Sequence, residues 1–95
     1  MIRLTNDEIS IIKNIVSDVF KDAKVYLFGS RLDATKKGGD IDLYVDTKDK
    51  NNLLEKKIKA LSKLERALYK PVDLVVSRDK TKSFEKEIAR SCVLL

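Results

Sequence analysis

Residues 25–46, VYLFGSRLDATKKGGDIDLYVD, decide the fold. The run Val25–Phe28 is rich in β-branched and aromatic residues, which predicts a buried strand ending at Gly29 and Ser30. A short helix capped by Ser30 and a basic, glycine-containing loop are expected to follow. Polar and apolar residues then alternate from Asp40 to Asp46, with Ile41, Leu43 and Val45 on the apolar side. This alternation predicts a half-buried strand that carries its carboxylates at its starting end.

The flanking sequence predicts helices on both sides of these strands. Thr5 and Glu8 form a capping box for a helix over 5–20. A longer helix is expected over 50–69, stopped by Pro71, and a last helix over 83–94. The longer helix has an apolar stripe at helical spacing, which is predicted to face the core and consists of Leu54, Ile58, Leu61, Leu64 and Leu68.

A third strand, VDLVV at 72–76, completes the order αβ(short α)βαβα. Strands that alternate with helices indicate an α/β or α+β fold, here a small mixed sheet with flanking helices. The chain has 95 residues, which is enough for a single modest core, so residues 1–95 are expected to form one domain.

The composition excludes several classes of protein. Because Cys92 is the only cysteine, no intrachain disulfide can form, which favours a cytoplasmic protein. No apolar run approaches the length of a membrane span, so no membrane partner is expected. The sequence contains no histidine, which excludes imidazole bases and His-ligated zinc. The net charge of +5 weakly favours an anionic partner.

The Gly29-Ser30 turn is a candidate anion site. A strand–Gly–Ser–helix turn presents backbone N–H groups and a hydroxyl at a helix N-terminus, where the helix dipole favours a phosphate. Such turns are also common as purely structural features, so this motif alone leaves both interpretations open.

Asp40 and Asp42 are a candidate metal site. Two residues apart on a strand, they point to the same face with their Cα atoms about 7 Å apart. Like charges that converge in this way repel unless a cation lies between them, and Mg²⁺ prefers carboxylate and phosphate oxygens. A solvated pair of carboxylates at the end of a strand is the alternative.

Asp73 adds a third carboxylate, at a strand position where aspartate is disfavoured. If its strand pairs beside that of Asp40 and Asp42, the three carboxylates can hold two metal ions about 4 Å apart, as phosphoryl-type transfer requires. Asp73 would then be placed to accept the proton of the attacking hydroxyl.

The combination of GS, nine residues, D-I-D-L and a later V-D-L-V strand resembles the DNA polymerase beta-type nucleotidyltransferases, and within them the minimal nucleotidyltransferases (MNT proteins). The resemblance implies the polymerase beta-like fold, with ATP as substrate. It implies that Gly29, Ser30 and Arg31 bind the triphosphate and that Asp40, Asp42 and Asp73 hold magnesium. Asp33 departs from the family pattern, where many members have glycine, and puts the path of that loop in doubt.

The resemblance also implies a partner. A chain of this length is expected to be a lone catalytic core with an open site, completed by a separately encoded helical HEPN-domain protein. The pair would be a toxin and its antitoxin, with the MNT protein transferring AMP from ATP to a hydroxyl, typically of a tyrosine, of the HEPN toxin. Two alternatives remain: an antitoxin that acts by occlusion without chemistry, and adenylyl transfer to a small molecule or an RNA end.

Other features admit a structural interpretation beside a functional one. The long helix has a basic stripe, which either is a solvated face or binds RNA or an acidic partner; nucleic acid is not favoured, because few aromatic residues are available for stacking. The apolar C-terminus, Val93–Leu95, either docks on the sheet or forms a partner or homo-oligomer surface.

Overall fold

The structure, a computed structural model, describes residues 4–28, 41–78 and 82–95, apart from the side chain of Phe84. Within these ranges, three helices and four strands follow one another along the chain: α1 (Asn6–Val19), β1 (Ala23–Phe28), β2 (Ile41–Thr47), α2 (Leu53–Leu68), β3 (Val72–Val76), α3 (Ser83–Ser91) and β4 (Val93–Leu94). The predicted helices and strands outside 29–40 are therefore present, and β4 is an addition.

The described strands form one mixed sheet in the order β3-β2-β1-β4. β1 pairs antiparallel with both β2 and β4, whereas β2 and β3 are parallel. The parallel pair is connected through α2, as a crossover connection requires. The small mixed sheet predicted from the sequence is confirmed.

One face of the sheet is buried under α1 and α2. The odd-numbered residues Ile41, Leu43 and Val45 of β2 are fully buried and pack with Val25 and Leu27 of β1. The even-numbered residues of β2 point to the opposite face, as the alternation predicts. We call that opposite face the site face; it carries Tyr26, Phe28, Asp42, Tyr44, Asp46, Asp73 and Val75.

The core stripe of α2 differs from the predicted one. Leu64 and Leu68 are buried and Leu61 is partly buried, but Leu54 and Ile58 are about 60% exposed. The buried stripe instead passes through the fully buried Ala60. The helix is therefore rotated, so that Leu54 and Ile58 lie on its flank.

The last predicted helix ends earlier than expected. α3 stops at Ser91, and the chain continues as β4, which pairs with Tyr26 and Leu27 of β1. The Leu95 N–H donates to the carbonyl of Val25 at 3.0 Å, and the Leu95 side chain packs against the core. The C-terminus therefore docks on the sheet, as one of the two interpretations predicts, while Val93 and Leu94 remain exposed.

The predicted basic stripe, which consists of Lys56, Lys59, Lys63, Arg66 and Lys70, is partly neutralised within the chain. Lys56 Nζ lies 3.1 Å from Asp49 Oδ2, and Lys70 Nζ donates to Glu8 Oε2 at 2.8 Å. The other members, Lys59, Lys63 and Arg66, are exposed. Two of the five cations thus serve the fold, which favours the structural interpretation of the stripe.

The capping box at the start of α1 is confirmed and is tied to α2. The Glu8 N–H donates to Thr5 Oγ1 at 3.1 Å, and the Thr5 N–H donates to Glu8 Oε1 at 3.0 Å. Burial opposes the charge on Glu8, but the hydrogen bonds from Lys70 and Thr5 outweigh burial and hold the pKa of Glu8 below its usual value. Glu8 therefore stabilises the fold most in its ionised form.

The ion pair between Glu8 and Lys70 is expected to stabilise the protein more at neutral pH than at acidic pH. Folding lowers the pKa of Glu8, so the contribution of Glu8 to the free energy of unfolding is present above about pH 4.5. This contribution is lost as the pH falls through the lower pKa of the folded state. Lys70→Met is expected to lower the free energy of unfolding by up to about 1 kcal/mol at pH 7 and by less at pH 3. Urea denaturation at both pH values, with the exposed Lys59→Met as control, measures this; equal losses at the two pH values would contradict it.

Candidate functional site

Asp42 and Asp73 lie side by side on the site face. Asp42 is the second residue of β2 and Asp73 is the second residue of β3. The parallel register pairs these two residues directly. Because neighbouring strands are about 4.8 Å apart and paired residues point to the same face, the two carboxylates share one space above the sheet. The pairing on which the sequence hypothesis depended is present.

The environment of the pair suits a charged site. Asp42 is half-buried, and Asp73 is exposed on β3, which is an edge strand of the described sheet. Like charges directly opposite each other on neighbouring strands are destabilising, and a cation held between them removes that cost. Carboxylate oxygens are the ligands that Mg²⁺ prefers, so the donor set fits this ion.

The remaining predicted site residues fall in the stretch that the structure does not describe. Gly29, Ser30, Arg31 and Asp40 all lie outside the described residues, as do the short helix and loop expected there. β1 ends at Phe28, which is in register with Asp42, and β2 begins at Ile41. Both ends of the stretch therefore lie beside Asp42. Within 4–28, 41–78 and 82–95, no group of three or more His, Cys, Asp or Glu residues could hold a metal.

A buried hydrogen-bond network joins α3 to the sheet on the same face. Glu85, 6% exposed, accepts hydrogen bonds from Tyr44 Oη at 2.8 Å and Ser77 Oγ at 2.7 Å through Oε1. Its Oε2 accepts from the Arg78 N–H at 3.1 Å. Burial is the main cause that raises the pKa of Tyr44 to about 12; the Ser77 hydroxyl opposes the shift and the Glu85 carboxylate adds to it. The network fixes α3 above β2 and the end of β3.

This network was not predicted from the sequence. The alternation of β2 places Tyr44 on the side of the carboxylates, but Glu85 is 41 residues further along the chain. No local pattern links them, since the hydroxyl and the carboxylate meet only when α3 folds back over the sheet.

A cavity of about 510 Å³ lies between the sheet and α3 on the site face. We call it the site-face cavity; it is lined by Tyr26, Tyr44, Asp46, Glu85, Lys86, Ala89, Arg90 and Cys92. The rings of Tyr26 and Tyr44 are 6.1 Å apart between centroids and tilted by 49°. The cavity therefore combines aromatic walls with side chains of both charges. Sequence analysis had assigned it no role.

The chain matches a known family over most of its length. The family described as "Polymerase beta, Nucleotidyltransferase" matches residues 10–95. The comparison with curated proteins found no match. Within the described ranges, no helix has both the length and the apolarity needed to cross a bilayer.

Solved structures of toxin–antitoxin pairs contain a similar fold. A mutant of the toxin–antitoxin pair MntA–HpeT is 25% identical with a TM-score of 0.74, covering 96% of this chain and 71% of that chain. The complex of the tri-AMPylated HEPN toxin of Shewanella oneidensis with its MNT antitoxin is 27% identical with a TM-score of 0.70, covering 93% and 67%. A toxin–antitoxin complex with AMP-PNP, 24% identical with a TM-score of 0.74, supports the fold and covers 96% and 72%. The small α/β fold expected from the sequence is confirmed by these matches.

Proposed function

Since the chain belongs to the polymerase beta nucleotidyltransferase family and resembles MNT antitoxins, we propose that it transfers AMP from ATP to a hydroxyl of a HEPN-domain partner protein. The observation that carries this proposal is the direct pairing of Asp42 with Asp73 on the site face. The Shewanella oneidensis relative supports the choice of group and acceptor, because its HEPN toxin is AMPylated and is in complex with the MNT antitoxin.

The proposed metal site consists of Asp42 and Asp73 together with Asp40. The first two meet on one face with acceptor oxygens only, and Asp40 directly precedes β2. Mg²⁺ held there would neutralise charge on the phosphates and favour attack by a hydroxyl oxygen. Gly29, Ser30 and Arg31, which follow β1, are proposed to bind the β- and γ-phosphates.

The order of the strands suits an in-line displacement. Gly29, Ser30 and Arg31 follow β1 in the sequence, so pyrophosphate is proposed to lie on the β1 side of Asp42; Asp73 on β3 is on the other side. The hydroxyl oxygen of the partner attacks the α-phosphorus from the β3 side, and its proton passes to the Asp73 carboxylate. The bond from the α-phosphorus to the bridging oxygen breaks, and pyrophosphate leaves toward the β1 side. β3 is at an edge of the described sheet, so a partner can approach the site from that side.

Radiolabelled ATP tests this proposal directly. The protein is incubated with Mg²⁺, its HEPN-domain partner and ATP labelled either at the α- or at the γ-phosphate. The α-label is expected to reach the partner and the γ-label is not, because AMP is transferred and pyrophosphate leaves. EDTA is expected to abolish the transfer, since the carboxylates alone cannot neutralise the phosphates.

The same assay separates the alternatives. Transfer of the γ-label would indicate phosphorylation and would contradict the proposal. Absence of both labels from the partner, in a mixture where the two proteins bind each other, would favour an antitoxin that acts by occlusion. An α-label that appears on RNA or on a small molecule instead would reassign the acceptor.

A further inference from the structure

We infer that the site-face cavity holds the nucleoside of the nucleotide substrate, with Tyr26 as the stacking surface for the base. This inference rests on the proposed function and adds the location of the base, which the carboxylate pair alone does not define. It is argued from the position of the cavity, the direction of the reaction and the chemistry of the lining residues.

The cavity continues from the carboxylates along the sheet. Tyr44, in its wall, is two residues beyond Asp42 on the same strand and the same face. At a rise of about 3.3 Å per residue, their Cα atoms are about 7 Å apart. A group attached to a phosphate at Asp42 can therefore extend directly into the cavity.

The direction of the proposed displacement favours the nucleoside over the other groups. In the proposed displacement the attacking hydroxyl and the leaving pyrophosphate are on opposite sides of the phosphorus, one toward β3 and the other toward β1, the two strands that flank β2. Both directions run across the strands. The nucleoside is bonded to the phosphorus through another oxygen and stays bonded during transfer, so it extends from the phosphorus in a different direction. The cavity lies along the strands, in a direction that neither of the other two groups uses.

The lining has the chemistry of a nucleoside site. Ligand sites are concave, with aromatic walls and a few polar groups, and have volumes of roughly 300–1,000 Å³. The half-buried Tyr26 contributes a ring beside the buried Tyr44. Asp46 offers acceptors suited to an amino group or ribose hydroxyls, and Lys86 and Arg90 offer donors suited to ring nitrogens.

The floor of the cavity is held in place before any ligand binds. Tyr44 and Glu85 both line it, and they are joined to each other and to Ser77 by hydrogen bonds shorter than 3 Å. A pocket whose polar groups already have partners does not have to order them on binding, which favours affinity.

Adenosine tests this inference, because it has the nucleoside but no phosphate to engage the carboxylates. Binding is followed by backbone NMR shifts of the full chain during titration with adenosine. We expect the largest shifts at residues that line the cavity. Ala89→Phe fills the cavity from an exposed position of α3 and is expected to weaken binding at least roughly tenfold. Ser91→Phe adds the same side chain at an exposed position outside the lining, and is expected to bind like the wild type.

A second pair of variants tests the stacking role. Tyr26→Ala is expected to weaken adenosine binding roughly tenfold, because it removes the ring, whereas Tyr26→Phe keeps the ring and is expected to bind within about twofold of the wild type. Unchanged amide spectra away from the cavity establish that each variant is folded.

Three results would overturn the inference: no shifts at the cavity with the wild type, equal affinity of Ala89→Phe and Ser91→Phe, or normal adenosine binding by an Ala89→Phe variant that no longer modifies its partner. The last result would assign the cavity to the acceptor. The first two results do not require transfer of AMP, whereas failure of the α-label to reach the partner would contradict the proposed function alone.

Discussion

Asp73→Asn is expected to slow AMP transfer to the partner by roughly 10²–10⁴-fold, because it removes the group proposed to accept the proton of the attacking hydroxyl. Asn keeps the size of the side chain but does not accept that proton. Asp42→Asn is expected to cost at least as much, since Asp42 lies at the centre of the proposed metal site, beside Asp73 in register. These are among the largest effects expected for single substitutions in this chain.

Single-turnover transfer of α-labelled AMP measures the effect, and Asp18→Asn is the matched control. Asp18 is exposed on α1, which covers the opposite face of the sheet. Because Asp73 is also exposed, Asp73→Asn is expected to change the free energy of unfolding by no more than about 0.5 kcal/mol. Loss of transfer can therefore be separated from loss of folding. A rate for Asp73→Asn close to that of Asp18→Asn would remove Asp73 from the mechanism.

The sequence predicts those parts of the fold that depend on local patterns. β3 has the bounds expected for VDLVV, and the alternation in β2 places Asp42 and Ile41 on opposite faces as predicted. The Thr5–Glu8 capping box begins α1 where expected. In each case the signal lies within a few neighbouring residues, whose spacing determines which face or terminus they occupy.

The features that sequence analysis missed depend on contacts between distant elements. The rotation of α2 that exposes Leu54 and Ile58 and buries Ala60 depends on how the helix packs against α1 and β3. β4 forms because the chain after α3 meets an edge of β1. Sequence analysis could give the pairing of Asp42 with Asp73 only as a condition for the metal site. The two strands are separated by a helix, and the sequence of neither strand determines their register.

In the candidate site, too, local patterns could be predicted and contacts between distant elements could not. Residue types and spacing indicated carboxylate and phosphate chemistry at one end of the sheet. The structure pairs Asp42 with Asp73, as this interpretation requires, and the chemistry itself stays a prediction. The site-face cavity had no counterpart in the sequence pattern, since β1, β2 and α3 contribute to it from three separate stretches. Aromatic and charged residues that meet only in the folded chain leave no periodic signal.

Glu85→Ala is expected to lower the free energy of unfolding by about 2–4 kcal/mol. The substitution leaves three donors without their acceptor: the hydroxyls of Tyr44 and Ser77 and the N–H of Arg78. A buried donor left without a partner costs about 1–3 kcal/mol, and the three losses are not fully additive. For a chain of this size, the loss corresponds to a decrease in Tm of roughly 10–25 °C.

Urea denaturation measures the loss, with Glu87→Ala as the control on the same helix. Glu87 is largely exposed, and its only described ion pair, with Arg90, has a distance of 4.0 Å, so its removal is expected to cost less than about 0.5 kcal/mol. Equal stability of Glu85→Ala and Glu87→Ala would contradict the role assigned to the network.

The pH dependence gives an independent test of the same network. Because folding raises the pKa of Tyr44 to about 12, its contribution to stability is complete below its unfolded value near 10 and is lost as the pH rises from about 10 to about 12. Tyr44→Phe has no hydroxyl to ionise, so its stability is expected to fall less steeply over this range. Identical slopes for the wild type and Tyr44→Phe would show that the Tyr44 hydroxyl titrates as it does in the unfolded chain, which is incompatible with burial against Glu85.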